Sequence, residues 1–181
     1  MPAKIQIVLG VTGSIAAYKA PELIRRLRDR DVGVSVMMTA SATRYVGVLT
    51  FEALTGNPVV HGRFEDGPAE TFQHIDISRN ADAMVIAPCT ANVMAKIACG
   101  LADDVVTAAV LARDIPLMIA PAMNTRMWRN PATQANLQTL RDRDITVIDV
   151  GAGDLACGEV GAGRLAPVEE IVDAVMRIER R

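Results

Sequence analysis

IQIVLGVTGSIAAYKAPELIRRL, running from Ile5 to Leu27, decides how the rest of the chain is read. Its opening run, Ile5-Gln6-Ile7-Val8-Leu9, is apolar and has the length of a buried strand. Small residues follow, Gly10, Thr12, Gly13 and Ser14, and then Ile15, Tyr18, Leu23, Ile24 and Leu27 recur at roughly helical spacing. A strand, a tight loop and a helix in that order present backbone N–H groups at a helix start, where a phosphate is favoured. Gly10 and Gly13 permit close backbone approach, and the hydroxyls of Thr12 and Ser14 can add hydrogen bonds. The spacing departs from the dinucleotide fingerprint G-x-G-x-x-G and from the Walker A loop. No acidic residue stands where the ribose partner of that fingerprint is expected. The stretch therefore reads as a seat for a mononucleotide phosphate, or as a strand-to-helix turn without a ligand.

The 181 residues suit one domain, 1–181, with a self-sufficient core. Half of them are hydrophobic, yet the aromatics are one Trp, two Tyr and three Phe. The core must then be built from Val, Ile, Leu, Ala and Met. Apolar excess without a long uninterrupted run points to subunit interfaces rather than to a membrane. MPAKIQIV passes straight into a strand, so no signal peptide is expected. A formal net charge of −2 gives no electrostatic case for nucleic acid. Cys89, Cys99 and Cys157 form neither a disulfide framework nor a zinc spacing, and a reduced, cytoplasmic setting is the expectation.

Strand and helix patterns alternate along the chain. Strands are expected at 32–38, 83–87 (broken by Pro88), 116–120 and 145–150, with a short one at 59–60. Helices are expected at 43–54, 90–98, from Asp103 or Asp104 through Arg113, at 131–143 and at 168–180. Thr39 and Ser41 are good N-cap types, residues 61–71 read as a surface loop, and 72–78 are ambiguous. Gly151 to Gly163 read as a glycine-rich loop. Such alternation indicates a parallel sheet covered on both faces, an α/β fold. Ligands of such folds bind beyond the carboxyl ends of the strands. Those ends carry Thr12-Gly13-Ser14, Thr39-Ala40-Ser41, Pro88-Cys89-Thr90-Ala91-Asn92 and Pro121-Ala122-Met123-Asn124, a neutral rim with few cations.

Individual residues leave alternatives open. Cys157 on a glycine-rich flap is either a proton donor, since a thiol pKa of about 8.5 suits that task, or a loop cysteine without a role. Asn124 either donates to a carboxylate or caps the helix that follows. His74 is a general acid/base or a surface histidine. Cys99 reads as core, and Cys89 as a filler beside a ligand. No metal-ligand cluster, paired carboxylate or Ser-His-Asp order stands out.

GVTGSIAAYKA, the TASA after the second strand, HIDIS, APCTANVMAKIACGLADD, APAMNTRMWRNP and LACGEVGAGRLAP occur in that order. Together they resemble the homo-oligomeric flavin-containing cysteine decarboxylase family, from Ile5 to about Val175. The resemblance implies a Rossmann-like or flavodoxin-like, doubly wound, three-layer protomer that binds FMN. It implies trimers, or dodecamers built of trimers, with flavin near subunit contacts. The implied activity is that of a carboxy-lyase converting phosphopantothenoylcysteine to 4′-phosphopantetheine in coenzyme A biosynthesis. Gly13, Ser14 and Ile15, Thr39 through Ser41, and Cys89, Thr90, Ala91 and Asn92 would line the flavin, with Ala122 and Met123 beside it. His74 falls on the active-site histidine and Asn124 on the asparagine that binds the substrate carboxylate. Cys157 falls on the proton donor, in a flap whose Ala156, Cys157 and Gly158 would touch substrate.

Cys89 and Val93 depart from the commoner P-A-S/T-A-N-T, which bears on flavin contacts. Many bacterial relatives continue into a CTP-dependent ligase domain, so a stand-alone decarboxylase and a portion of a bifunctional chain both fit the sequence. Rival readings are a decarboxylase of C-terminal peptidyl cysteine, a flavin prenyltransferase on the same scaffold, disfavoured by the PAMN and ACG segments, and a non-catalytic flavin-binding regulatory protein.

Overall fold

The computed structural model describes residues 5–62, 77, 79–154, 158 and 160–178. Six strands form the main sheet: β1 (Ile5–Val11), β2 (Val32–Met38), β3 (Val60–His61), β4 (Ala83–Cys89), β5 (Leu117–Pro121) and β6 (Thr146–Val147). Every pairing is parallel and the order is β3-β2-β1-β4-β5-β6. Without the two-residue edge strand β3 this is the flavodoxin order, and with it the Rossmann order. In both the chain changes direction between β1 and β4, and the crevice beyond that switch point is where α/β sheets bind ligands.

The period-2 alternation of strand side chains divides the core into two layers. One holds Ile7, Leu9 and Val11 of β1, Val34 and Val36 of β2, and Val85 of β4. Against them pack Leu23, Ile24 and Leu27 of α1 (Ala20–Asp29), Phe51 of α2 (Val48–Thr55), and Ile171, Val172 and Val175 of the last helix (Val168–Met176). The other layer holds Val8, Met84, Ile86, Leu117 and Ile119. It is closed by α3 (Ala91–Cys99), α4 (Val105–Ala112) and Leu137 and Leu140 of the helix Pro131–Arg141. Both faces of β4 are therefore buried along its whole length, as a continuous apolar run requires.

Several boundaries differ from the sequence expectation, each for a local reason. The helix expected after Ser14 opens as a 3₁₀ turn, Ile15–Lys19, and becomes α-helical at Ala20. Pro21 lacks a backbone N–H and suits only a first helical turn. The helix expected at 43–54 is a 3₁₀ turn, Ala42–Arg44, followed by α2. Pro88 does not end β4, which continues to Cys89 through an irregular register against β5. Residues 145–150 supply only the two-residue β6. The glycine-rich stretch carries an antiparallel strand pair, β7 (Gly151–Asp154) with β8 (Val160–Arg164), a hairpin with one register shift between Gly151 and Ala152.

Candidate active site

The loops after β1, β2, β4 and β5 meet at the carboxyl edge of the sheet. Thr12 is fully buried there. Its hydroxyl donates to the Pro88 carbonyl at 2.6 Å and accepts the Thr90 N–H at 3.1 Å. The expectation that this hydroxyl serves a ligand is thus corrected, since it is spent tying the two loops together. Gly10 likewise makes its close approach inside the core, where an added Cβ would lie 2.5 Å from Ile86 Cδ1. Gly13 makes its close approach to the second loop: a Cβ there would come 2.4 Å from Ser41 Cβ. Glycine thus brings the first and second loops into contact.

A cleft of about 420 Å³ opens between these loops. Gly13, Ser14, Thr39, Ser41, Thr90, Ala91, Asn92, Ala122 and Met123, nine residues singled out from sequence, line it. The Ser14, Thr39 and Thr90 hydroxyl oxygens each accept a backbone N–H, from Ala16 at 3.2 Å, Ala42 at 3.2 Å and Val93 at 3.3 Å. These caps fix the side chains and leave each O–H as a donor. Thr90 also begins α3, whose first residues line the cleft. Such donors, a glycine-tightened loop and a helix start suit the phosphate, ribityl hydroxyls and ring carbonyls of a flavin mononucleotide, and the volume is in the range of cofactor pockets.

Lys96, Asp103 and Asp104 are wall residues that the sequence reading missed. Lys96 follows Asn92 by one helical turn, the signal that could have found it. Its Nζ lies 2.7 Å from Asp103 Oδ1 and 3.4 Å from Asp104 Oδ2. Burial alone would lower the Lys96 pKa, but the hydrogen bond to Asp103 and the charges of Asp104 and Asp103 prevail and raise it. Asp104 also caps α4 by accepting from Val106 N and Thr107 N at 3.0 and 2.9 Å.

A second cleft, of about 440 Å³, shares Ser14, Ala122 and Met123 with the first. Ile15 lines this one rather than the first, together with Tyr18, Lys19, Asn124, Asp154 and Arg164. Asn124 does cap the short helix α5 (Thr125–Arg129): its Oδ1 accepts from Arg126 N at 2.7 Å. The hairpin is fastened beside it, with Met123 N donating to Gly163 O at 2.9 Å. Gly163 has φ +130 and a Cβ there would lie 2.5 Å from Met123 O, so a side chain would separate the hairpin from Asn124.

Cys89 lines neither cleft. It is fully buried in the second core layer, and burial pushes its thiol up to about 12. Cys99, expected in the core, is exposed. Gly158 is exposed at φ +82 and lines neither cleft. His74, Ala156 and Cys157 lie outside the described residues.

The Flavoprotein family profile matches residues 1–179. The chain belongs to the Flavoprotein family. Among the relatives of this flavoprotein is the coenzyme A biosynthesis bifunctional protein CoaBC of Mycolicibacterium smegmatis, 46% identical over 181 residues, covering 99% of this chain and 43% of the relative. The chain thus spans less than half the length of such curated relatives. Among solved structures, a PPC decarboxylase variant complexed with pantothenoylaminoethenethiol is 34% identical with a TM-score of 0.84, covering 96% of this flavoprotein and 97% of that chain. The FMN-dependent cysteine decarboxylase SpaF is also 34% identical, with a TM-score of 0.81 and coverage of 98% and 99%. Among the described residues, no helix is long and apolar enough to cross a membrane.

Proposed function

We propose that this flavoprotein is an FMN-dependent decarboxylase that converts phosphopantothenoylcysteine to 4′-phosphopantetheine in coenzyme A biosynthesis. The observation that carries the reading is the pair of adjoining clefts sharing Ser14, Ala122 and Met123, one fit for the cofactor and the other holding Asn124. Bound FMN supplies the electron sink that a decarboxylating acyl-cysteine otherwise lacks.

The remaining tasks fall to side chains and backbone. Gly13, Ser14, Thr39, Ser41, Thr90, Ala91, Asn92, Ala122 and Met123 hold the cofactor, with Ile15 at its rim. The Asn124 carboxamide oxygen accepts from Arg126 N, and the N–H side of the same group has donor polarity. That is the polarity needed to orient a carboxylate over the shared wall. Family resemblance adds His74 as the active-site histidine and Cys157 as the thiol that protonates the carbon from which CO2 has left. The resemblance also brings Ala156 and Gly158 to the substrate with it.

Exposed Ile15, Tyr18 and Met127, at 57, 62 and 49% of full exposure, rim the clefts and support assembly into a trimer or a dodecamer of trimers. We place the enzyme in the cytoplasm, as a single domain over 1–181. The test is direct: purified protein should be yellow and release FMN on denaturation. Incubation with phosphopantothenoylcysteine should produce a mass loss of about 44 Da for CO2. Colourless protein that cannot be reconstituted, or intact substrate, rejects the reading. The likeness to SpaF favours one alternative, decarboxylation of a peptide's C-terminal cysteine, and a screen of both substrates separates the two.

A further inference from the structure

We infer that Lys19 and Arg164 form the recognition site for the phosphate monoester of the substrate, and so set the enzyme's preference for a phosphorylated acyl-cysteine. This rests on the decarboxylase reading above and extends it to specificity. The two clefts differ in the state of their cations. Lys96, in the cofactor cleft, is held by Asp103 and Asp104 at 2.7 and 3.4 Å. Lys19 and Arg164 both line the Asn124 cleft, and among the described residues neither forms an ion pair. Among the described residues, Asp154 is the one carboxylate that lines that cleft. Two cations against one carboxylate leave a positive wall, where a phosphate dianion is held by charge-assisted hydrogen bonds.

The Arg164 side chain lies across the neighbouring strand of the hairpin. A Cβ at Gly153 would come 2.8 Å from Arg164 Nη1 and 3.6 Å from its Cδ, so the missing side chain makes room for the guanidinium. Lys19 lines the same cleft from the end of the 3₁₀ turn that Ser14 caps. One cation thus belongs to the turn after β1 and the other to the hairpin. Asn124 lies in the same cleft, so a substrate that gives its carboxylate to Asn124 has a second anion to place. A peptide ending in cysteine has no phosphate and gains nothing from this pair.

The experiment uses the FMN-loaded enzyme and its Lys19→Gln, Arg164→Gln and double variants. Each is assayed on phosphopantothenoylcysteine and on unphosphorylated pantothenoylcysteine. Calorimetric titration with 4′-phosphopantetheine and with pantetheine gives a readout independent of turnover. The parent should prefer the phosphorylated substrate in kcat/KM. Each Gln variant should reduce that preference about tenfold, chiefly through KM. Lys19→Arg and Arg164→Lys should retain most of it, and the double variant should bind the two pantetheines alike.

Flavin content, read from visible absorbance, should match the parent in every variant. Equal losses on both substrates, an unchanged preference in the double variant, or lost flavin would each overturn the assignment. A parent that turns over both substrates without preference rejects this inference alone. A parent that turns over neither rejects the decarboxylase reading and this inference with it.

Discussion

Thr90 gives its backbone N–H to the Thr12 hydroxyl at 3.1 Å, and that hydroxyl donates in turn to the Pro88 carbonyl at 2.6 Å. A single buried side chain therefore joins the tips of β1 and β4 at the point where the sheet order reverses. Thr12→Val keeps the shape and removes both bonds, leaving a carbonyl and an N–H without their partner. Urea denaturation should show a loss of about 2–4 kcal/mol, and FMN affinity should fall because Thr90 starts the helix lining the cofactor cleft. Thr12→Ser should restore most of both quantities. A Val variant as stable as the parent would show that this bond does not hold the loops.

Gly163→Ala tests how the hairpin is seated. The new methyl group would meet Met123 O at 2.5 Å, on a backbone at φ +130 that alanine rarely adopts. A thermal melt should register a cost of roughly 1–3 kcal/mol. The activity should fall further than flavin content does, since the displaced hairpin borders Asn124 and meets the cofactor cleft only through Met123. Equal fractional losses of flavin and activity would count against that division.

Cys89 and Cys99 should behave oppositely. Cys99 is exposed and Cys89 fully buried, with a thiol pushed up to about 12. Iodoacetamide at neutral pH, followed by peptide mapping, should modify Cys99 in native protein and Cys89 only after denaturation. The pH dependence has a definite sign. A thiol whose folded pKa is raised adds stability below its unfolded value, about 9, which is lost as pH climbs toward 12. Over that window stability should fall by up to about 1.4 kcal/mol per pH unit from this group. Cys89→Ala should flatten that part of the curve.

Lys96→Met leaves Asp103 and Asp104 without their shared cation on the wall of the cofactor cleft. Binding of FMN should weaken about five- to tenfold, more than binding of uncharged riboflavin, as fluorescence titration would read it. In the parent the raised Lys96 pKa keeps this cation charged through the neutral range, so its contribution is present below the ordinary lysine value of 10.5 and lost only as pH rises above it. An equal effect on FMN and riboflavin would show that the cation does not act through charge.

The order of elements was legible because buried parallel strands are written as uninterrupted apolar runs and helices as periodic ones, and both are local patterns. The strand ends named most residues that line the first cleft for the same reason. Lys96 lies outside the strand-end loops, and α3 carries it back into the cleft one turn after Asn92. The β7–β8 hairpin has no strand signal in sequence, because its glycines read as a loop. Their meaning, room for Met123 O and for Thr125 Oγ1, which would lie 2.6 Å from a Cβ at Gly161, depends on a packing partner about 40 residues away in sequence.

From the chain of residues alone came the α/β class, the parallel sheet, the strand-end rim and the family resemblance, because each depends on neighbours within a few positions or on the order of motifs. Folding decided the rest. It set which hydroxyl is consumed by the scaffold and which remains for a ligand, buried Cys89 behind the cleft, paired Lys96 with acids and brought Lys19 and Arg164 to one cavity. These outcomes depend on contacts between segments separated by up to 145 residues, counted from Lys19 to Arg164. The crossovers of the parallel sheet and the docking of the hairpin against α5 and Met123 bring such segments together.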